Sequence, residues 1–260
     1  YPLGVTTVTW TVTDVNGNTA TCAITVTVND GINPTIFCAS NAVGNTAVGV
    51  CTGSVTLASP LVFDNCTNFD TNGSLAWTVV FADATPDATG FIFDNEGAGV
   101  VLDPSTLVFP VGTSTITYVV TDESGNTATC SNTVIVSDIE APALTCPADV
   151  VVDNEAGSCD AVVTIAAIAD GAGASDNCSI ATIVNDITGT ADASGTYSVG
   201  TTSVTYTVTD VNGNVSTCSF DVTVNDTELP VNLTCPDATM AVSSSCSVAV
   251  SVVGATFSDN

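Results

Sequence analysis

Acidic side chains and cysteines are the residues of this sequence that could carry chemistry. The 260 residues include 27 Asp plus Glu and 11 Cys but no Lys, Arg or His, so the formal net charge is −27. Carboxylates without basic partners are suited to bind calcium, which takes about six to eight oxygen ligands. The cysteines have no close C-x2-C pair of the kind that zinc sites use, so we expect disulfides formed in an oxidising compartment.

This composition excludes several classes of function. Binding to nucleic acid needs cationic side chains that displace the counterions of the phosphates, and this chain has none. Imidazole catalysis, Schiff bases and arginine clamps are excluded for the same reason, and we predict no catalytic residue. No apolar run approaches the roughly 18 residues of a membrane span. A hydrophobic content of 45% argues against a disordered acidic chain.

One sequence run occurs three times and indicates an array of modules. Each copy begins with an aromatic residue, continues through Thr-Asp-x-x-Gly-Asn and ends with a cysteine; the copies span 10–22, 118–130 and 206–218. An alternating Val-x-Val-x-Asp stretch followed by proline separates the modules. The predicted organisation is a truncated module at 1–30, complete modules at 31–138 (with an insertion) and 139–226, and a truncated module at 227–260.

The same run predicts β-structure. Val204, Tyr206 and Val208 alternate with threonines, the period of two that is typical of a half-buried strand. The Asn-Gly within the turn at 210–214 favours a hairpin, after which Cys218, Phe220, Val222 and Val224 should face inward. Short strands in modules of this size predict an all-β fold of tandem immunoglobulin-like β-sandwich modules arranged end to end.

Acidic residues gather where the predicted topology brings linkers and hairpin turns to the same end of a module. Calcium is therefore a possible cofactor, although Asp and Asn also form ordinary turns by bonding to their own backbone, and both interpretations stay open. The candidate ligands are Asp30, Asp122, Asn126, Asp138, Glu140, Asp210, Asn212, Asp226 and Glu228.

A wider set of motifs resembles the hyalin repeat (HYR) domain. They are Cys146-Pro147, Gly157-x-Cys159, Asp176-Asn177-Cys178, the Tyr-x-Val-Gly-Thr-Thr of 197–202 and the run at 205–218. The resemblance implies an immunoglobulin-like extracellular module that occurs in tandem in surface and adhesion proteins. It also implies that the module has no catalytic residue.

The resemblance also implies a pattern of disulfides. Family members with two cysteines keep the positions of Cys146 and Cys218, which implies a bond between them and, by analogy, between Cys38 and Cys130. The hypothesis then pairs Cys51 with Cys66 and Cys159 with Cys178. Four cysteines allow three connectivities, so each module has alternatives.

The function predicted first is a structural stalk in a secreted or cell-surface adhesin or filament. Its partners would be neighbouring modules of the same chain, other copies in a filament, or surface glycans. A second hypothesis is a module that binds carbohydrate or protein through the insertion at 67–108, with Trp77, Phe81, Phe91 and Phe93 as contacts. A third hypothesis makes the chain an accessory part of an extracellular enzyme.

Overall fold

Alternating apolar and hydroxyl residues fold into strands throughout the described part of the chain. The structure is a computed structural model that describes residues 1–69, 71–94, 103–234 and 254–258. Among these residues the only helical element is a 3-10 turn at Pro104–Thr106, so the all-β prediction is confirmed. The chain divides into two compact units, Tyr1–Glu140 and Ala141–Asn260.

The first unit contains a two-stranded hairpin and a sandwich. Its strands are β1 (Gly4–Thr13), β2 (Thr19–Val28), β3 (Thr35–Phe37), β4 (Ala42–Asn45), β5 (Thr52–Ser54), β6 (Leu61–Phe63), β7 (Ser74–Val80), β8 (Ala88–Asp94), β9 (Val108–Pro110), β10 (Gly112–Thr121) and β11 (Thr127–Ser137). β1 and β2 pair only with each other among these strands. One layer has the order β4-β11-β10-β7-β8, and the other consists of the pairs β3-β6 and β5-β9. Val55, Trp77 and Phe109 belong to one buried cluster, so the core lies between these layers, which we name the first sandwich.

The second unit repeats this plan. Its strands are β12 (Ala143–Leu144), β13 (Val150–Asp153), β14 (Asp160–Val163), β15 (Ala169–Asp170), β16 (Gly173–Ser175), β17 (Ile180–Asn185), β18 (Gly195–Ser198), β19 (Gly200–Asp210), β20 (Val215–Asn225), β21 (Val231–Thr234) and β22 (Thr256–Ser258). One layer has the order β13-β20-β19-β17, and the other contains β12-β16-β15 and β14-β18. Ala161, Tyr197 and Phe220 share a buried cluster. We name β12–β20 the second sandwich.

Three long hairpins share one register. The aromatic residue of each repeated run lies directly opposite its cysteine, in the pairs Trp10–Cys22, Tyr118–Cys130 and Tyr206–Cys218. The residues predicted to face inward in the last hairpin do so: Val204, Tyr206, Val208, Phe220, Val222 and Val224 are buried. The alternation therefore specified both the strands and their buried faces.

The chain enters and leaves each sandwich at opposite ends. In the second sandwich the hydroxyl of Ser216, at the start of β20, donates to the carbonyl of Pro142 at 2.6 Å. β20 then runs for 11 residues to Asn225, about 33 Å at 3.3 Å per residue. In the first sandwich Asn126, which precedes β11, donates to the Asp30 carbonyl at 3.3 Å. We name the end where the chain enters the upper end, and the end where its last long strand finishes the lower end.

Two of the predicted disulfides are present. Cys38 bonds to Cys130 and Cys146 bonds to Cys218, with Cα–Cα distances of 5.7 and 5.8 Å, which suit a disulfide. In each sandwich the cysteine near the beginning of the fold is thereby tied to the last long strand.

The other two predicted disulfides, Cys51–Cys66 and Cys159–Cys178, are wrong. Cys66 and Cys159 are free thiols. The cause is the length of the strands. Cys159 accepts a hydrogen bond from Val199, just before β19, whereas the carbonyl of Ser179, next to Cys178, accepts one from Val211, just after β19. The 11 residues of β19 separate these positions by about 33 Å, whereas the Cα atoms of a disulfide lie within about 7 Å.

Candidate functional site

The acidic turn between β10 and β11 is the local structure on which the candidate site is built. Asp122 is buried, with 3% of its surface exposed. Its Oδ1 accepts the backbone N–H groups of Ser124 and Asn126 at 2.9 and 2.8 Å, and Gly125 adopts a φ of +87° that closes the turn. This network holds the carboxylate in one orientation at the upper end of the first sandwich.

Two further carboxylates meet Asp122 at this end. Asp30 follows β2, and Asp64 follows β6. One carboxylate oxygen from each of Asp30, Asp64 and Asp122 lies within 4.8 Å of the others. Asp64 is held by its own turn, in which Oδ2 accepts the N–H groups of Cys66 and Thr67 at 2.8 Å each. Three separate segments of the chain thus bring negative charge to one position.

The chemistry of this cluster fits a calcium ion. The sequence contains no Lys, Arg or His, so no side-chain cation can compensate the three carboxylates. Asp30 Oδ2 and Asp64 Oδ1 are buried and accept no hydrogen bond from the described residues. Buried carboxylate oxygens are costly unless they are paired or bound to a metal, and calcium prefers such oxygen ligands.

The cluster differs from the predicted set in two respects. Asp30 and Asp122 are brought together as expected, but Asn126 turns its amide nitrogen inward and donates to Asp122 Oδ2 at 2.8 Å. That nitrogen positions the carboxylate and is not a ligand. Asp64 was not predicted, although a signal existed: Asp-Asn-Cys occurs at 64–66 and again at 176–178.

The thiol of Cys66 lies beside this cluster. Desolvation, followed by the negative charge of Asp30 and Asp64, raises the pKa of Cys66 above its ordinary value. The thiolate form is therefore disfavoured where the carboxylates gather.

The second sandwich contains the matching turns. Asp176 Oδ2 accepts the N–H groups of Cys178 and Ser179 at 2.7 and 3.1 Å. Asp210 accepts the N–H groups of Asn212 and Asn214 at 2.8 Å each, and only 2% of its surface is exposed. Burial acts to raise the pKa of Asp210, but the hydrogen bonds from Asn214, Asn212 and Gly213 together lower it. Asn212 itself is exposed.

The remaining predicted ligands lie at the lower ends, where they bond to loops of the sandwich that precedes them. Asp138 accepts the hydroxyl of Thr46 at 3.1 Å, and Glu140 accepts the N–H of Gly49 at 2.9 Å. In the second unit Asp226 accepts the side-chain amide of Asn154 at 3.4 Å, and Glu228 accepts the N–H of Gly157. The same pair of contacts therefore anchors each linker to the sandwich it leaves.

Three of the four aromatic residues predicted to contact a ligand, Trp77, Phe81 and Phe93, pack in the core of the first sandwich. Trp77 is 1% exposed. The rings of Phe81 and Phe93 pack against Phe109 and Phe69 with centroid distances of 5.8 and 6.0 Å, and Phe91 is half-buried on β8. Trp77 is therefore too deeply buried to contact a ligand, whereas ligand binding through the half-buried Phe81, Phe91 and Phe93 stays a prediction. Residues 95–102 of the insertion lie outside the described part of the chain.

Together these features define a class: an all-β sandwich module, repeated along one chain, whose early segment is tied to its last long strand by a disulfide. The chain belongs to the HYR domain family, which matches residues 1–28, 73–136 and 137–224. In the described residues we find no helix of the length and apolarity that a membrane crossing requires.

Two curated relatives carry the name Hyalin. The chain is 30% identical over 233 residues to Hyalin of Strongylocentrotus purpuratus, which covers 86% of the chain and 16% of that protein. It is 31% identical over 236 residues to Hyalin of Lytechinus variegatus, with coverage of 87% and 38%. The chain therefore spans well under half the length of either relative.

Solved structures give more distant matches. A tetra-tandem repeat from the extending region of a large adhesion protein is 19% identical, with a TM-score of 0.36 and coverage of 85% of this chain and 56% of that one. Cadherin domains 3–6 of protocadherin gamma B2 are 14% identical, with a TM-score of 0.35 and coverage of 85% and 60%. Similarities of this size support no argument about function.

Proposed function

We propose that this chain is a non-enzymatic stalk segment of a secreted or cell-surface adhesive protein. The observation that carries the proposal is the placement of the chain at opposite ends of each sandwich. Pro142 lies beside the start of β20, and the chain leaves the sandwich after Asn225 at the far end of that strand. A module with this path passes the chain forward by its own length, so repeated modules extend a rod.

The cysteines support an extracellular location. Two disulfides, Cys38–Cys130 and Cys146–Cys218, close the sandwiches, and disulfides persist in oxidising compartments. They would also compensate for the absence of ion pairs between side chains, which a chain without Lys, Arg or His cannot form.

Small-angle scattering of the complete 260-residue chain tests the stalk. Two sandwiches and the β1-β2 hairpin, each about 33 Å long from their strand lengths, would make a rod of about 100 Å with a radius of gyration near 30 Å. A compact chain of this length would have a radius of gyration of about 18 Å. A measured value near the compact figure contradicts the stalk.

Calcium at Asp30, Asp64 and Asp122 is the second part of the proposal. Its support is the convergence of three carboxylates and the two buried oxygens without hydrogen bonds in the described residues. An ion that binds only the folded state adds about 2.7 kcal/mol at a hundredfold excess over Kd. Calcium would therefore join the hairpin that ends at Asp30 to the sandwich that carries Asp64 and Asp122.

Melting curves of the chain in EDTA, in calcium chloride and in sodium chloride of equal ionic strength test the ion. We expect calcium to raise the melting temperature of the wild type, and we expect sodium at the same ionic strength to raise it by less. Asp64→Asn keeps an oxygen for the turn but removes a charge, and should lose the calcium response. Asp87→Asn, at an exposed position, is the matched control and should keep it. If sodium raises the melting temperature as much as calcium does, the proposal of a bound calcium ion is contradicted, but the proposal of a stalk is not affected.

A further inference from the structure

The β1-β2 hairpin separates its side chains by polarity onto two faces. One face presents mostly threonines, which occupy alternate positions of both strands. The other, which we name the hairpin face, carries no charged residue and is formed mainly by Val8, Trp10, Val12, Cys22, Ile24 and Val26. Much of this face is open to solvent, since Trp10 is 55% exposed, Val12 68% and Ile24 46%.

The matching positions of the two sandwiches belong to their cores. Trp10 corresponds in register to Tyr118 and Tyr206, because each of the three lies opposite a cysteine, and both tyrosines are 0% exposed. A two-stranded sheet is marginally stable until a second layer packs on its apolar face, and an exposed apolar patch marks an interaction surface. The hairpin face is therefore one half of an interface.

Cys22 lies on this face and is an exposed thiol. The cysteines at the matching positions bond to a cysteine next to a strand of the opposite layer: Cys130 to Cys38, after β3, and Cys218 to Cys146, after β12. A cysteine at this position is thus placed for a disulfide that joins two layers.

The other exposed thiol of the first unit cannot supply that bond. Cys66 lies beside Asp30, whereas Cys22 lies eight positions before Asp30 in the sequence. Along an extended strand this is about 26 Å, and the Cα atoms of a disulfide lie within about 7 Å. A partner for Cys22 must therefore come from elsewhere.

The size of the hairpin face favours a contact that is held covalently. Two strands of 10 residues each make a face of about 33 by 10 Å, so two such faces would cover roughly 650 Å² together. Stable interfaces bury about 1,200–2,000 Å², so this contact needs a disulfide to last. A second copy of the chain meets both requirements, because by two-fold symmetry it presents the same uncharged face and a thiol at the same position.

We propose that two copies of this chain associate through their hairpin faces and are joined by a Cys22–Cys22 disulfide. The two hairpins form the two layers of a small sandwich, with the two-fold axis beside Cys22. Two thiols lose two protons and two electrons as one S–S bond forms, and the oxidant, oxidised glutathione, is reduced to two thiols by exchange through a mixed disulfide. The proposal adds pairing of chains to the stalk and is independent of calcium.

Oxidation of the 260-residue chain in a glutathione buffer tests the proposal. We expect a covalent dimer that a reductant converts to monomer. A protease that cleaves after acidic residues should release residues 15–30, whose one cysteine is Cys22, as a linked pair of identical peptides. Because each chain carries a net charge of −27, added sodium chloride should speed dimer formation by screening the repulsion.

Two pairs of variants separate the bond from the face. Cys22→Ser should abolish the dimer, and Cys66→Ser, at another exposed thiol, should keep it. Val12→Asp places a charge on the hairpin face and should remove most of the dimer. Thr11→Asp places the same charge on the opposite face, at an exposed position, and should not. Detection of the Cys38–Cys130 bond shows that the first sandwich of each variant has folded.

An oxidised chain that stays monomeric overturns the proposal, whether Cys22 is then open to alkylation or bonded within its own chain. A dimer linked through Cys66 or Cys159 while Cys22 stays free overturns it as well. Equal yields of dimer from Val12→Asp and Thr11→Asp would exclude the hairpin face as the contact. Scattering of the Cys22→Ser monomer still tests the stalk by itself.

Discussion

Trp77 and Gly90 face each other across the antiparallel pair β7-β8, and the indole ring occupies the space that a side chain at position 90 would need. A Cβ atom added to Gly90 would lie 2.7 Å from Trp77 Cζ2. Since a ring carbon in a packed core cannot move freely, the absence of a side chain at Gly90 is a condition for burying Trp77.

Gly90→Ala should therefore destabilise the first sandwich by about 1–3 kcal/mol, the usual cost of overpacking. The measurement is calorimetric melting of the chain. Thr89→Ala, at the exposed neighbouring position, is the control and should cost less than 1 kcal/mol. Equal melting temperatures for Gly90→Ala and the wild type would mean that Trp77 is not packed against position 90.

Removal of the Cys146–Cys218 bond should lower the stability of the second sandwich by about 3–5 kcal/mol, because the bond closes a loop with a sequence separation of 72. The variant is the double substitution of Cys146 and Cys218 by serine, measured by denaturant unfolding. Cys159→Ser makes the same exchange at an exposed thiol of that sandwich and should leave stability unchanged. Similar losses in both variants would refute a specific role for the bond.

Two tyrosines should respond in opposite ways to the loss of a hydroxyl. Tyr197 donates to the carbonyl of Ala193 at 2.6 Å in a buried position, so Tyr197→Phe leaves an unpaired carbonyl at a cost of about 1–3 kcal/mol. The hydroxyl of Tyr118 is buried without a hydrogen-bond partner among the described residues. Tyr118→Phe should be neutral or stabilising. Calorimetric melting of both variants measures these changes in stability. A marked loss of stability in Tyr118→Phe would contradict the prediction.

The lowered pKa of Asp210 predicts a loss of stability in acid. Its ordinary value is 3.8, and a folded-state pKa below this means that the contribution is complete above about pH 4 and disappears as pH falls through the folded value. Relief of repulsion among the acidic residues acts in the opposite direction. Asp210→Asn should lower the melting temperature at pH 6. It should also reduce the difference between the melting temperatures measured at pH 6 and at pH 2.5.

The exposed Asp153→Asn is the control for this titration. This variant should show the same difference between the melting temperatures at pH 6 and pH 2.5 as the wild type. If Asp210→Asn retains it as well, the turn at Asp210 is not a source of the acid sensitivity.

The strands and their buried faces could be predicted because the period of two is local and strong. The same pattern could have identified Trp77 as a core residue, since Leu75, Trp77 and Val79 alternate with Ala76, Thr78 and Val80 and are the buried members. Periodicity was the better guide.

The predicted bonds Cys51–Cys66 and Cys159–Cys178, each of which pairs two cysteines of the same module, were wrong. That assignment ignored the length of β19, which holds Cys159 and Cys178 at opposite ends of the sandwich. Asp64 was missed for a related reason: the repeated Asp-Asn-Cys at 64–66 and 176–178 marks the residue, but its proximity to Asp30 and Asp122 depends on where β6 ends, which the repeat does not specify.

The Cys38–Cys130 and Cys146–Cys218 bonds also determine how the chain would respond to mechanical tension. A force applied at the two ends of the second sandwich passes from Cys146 through the disulfide to Cys218 and does not load the polypeptide between them. At about 3.5 Å per extended residue, a sequence separation of 72 keeps about 250 Å of contour length from being drawn out. Reduction of the bond would release that length in one step, so the oxidised module is nearly inextensible and the reduced module is not.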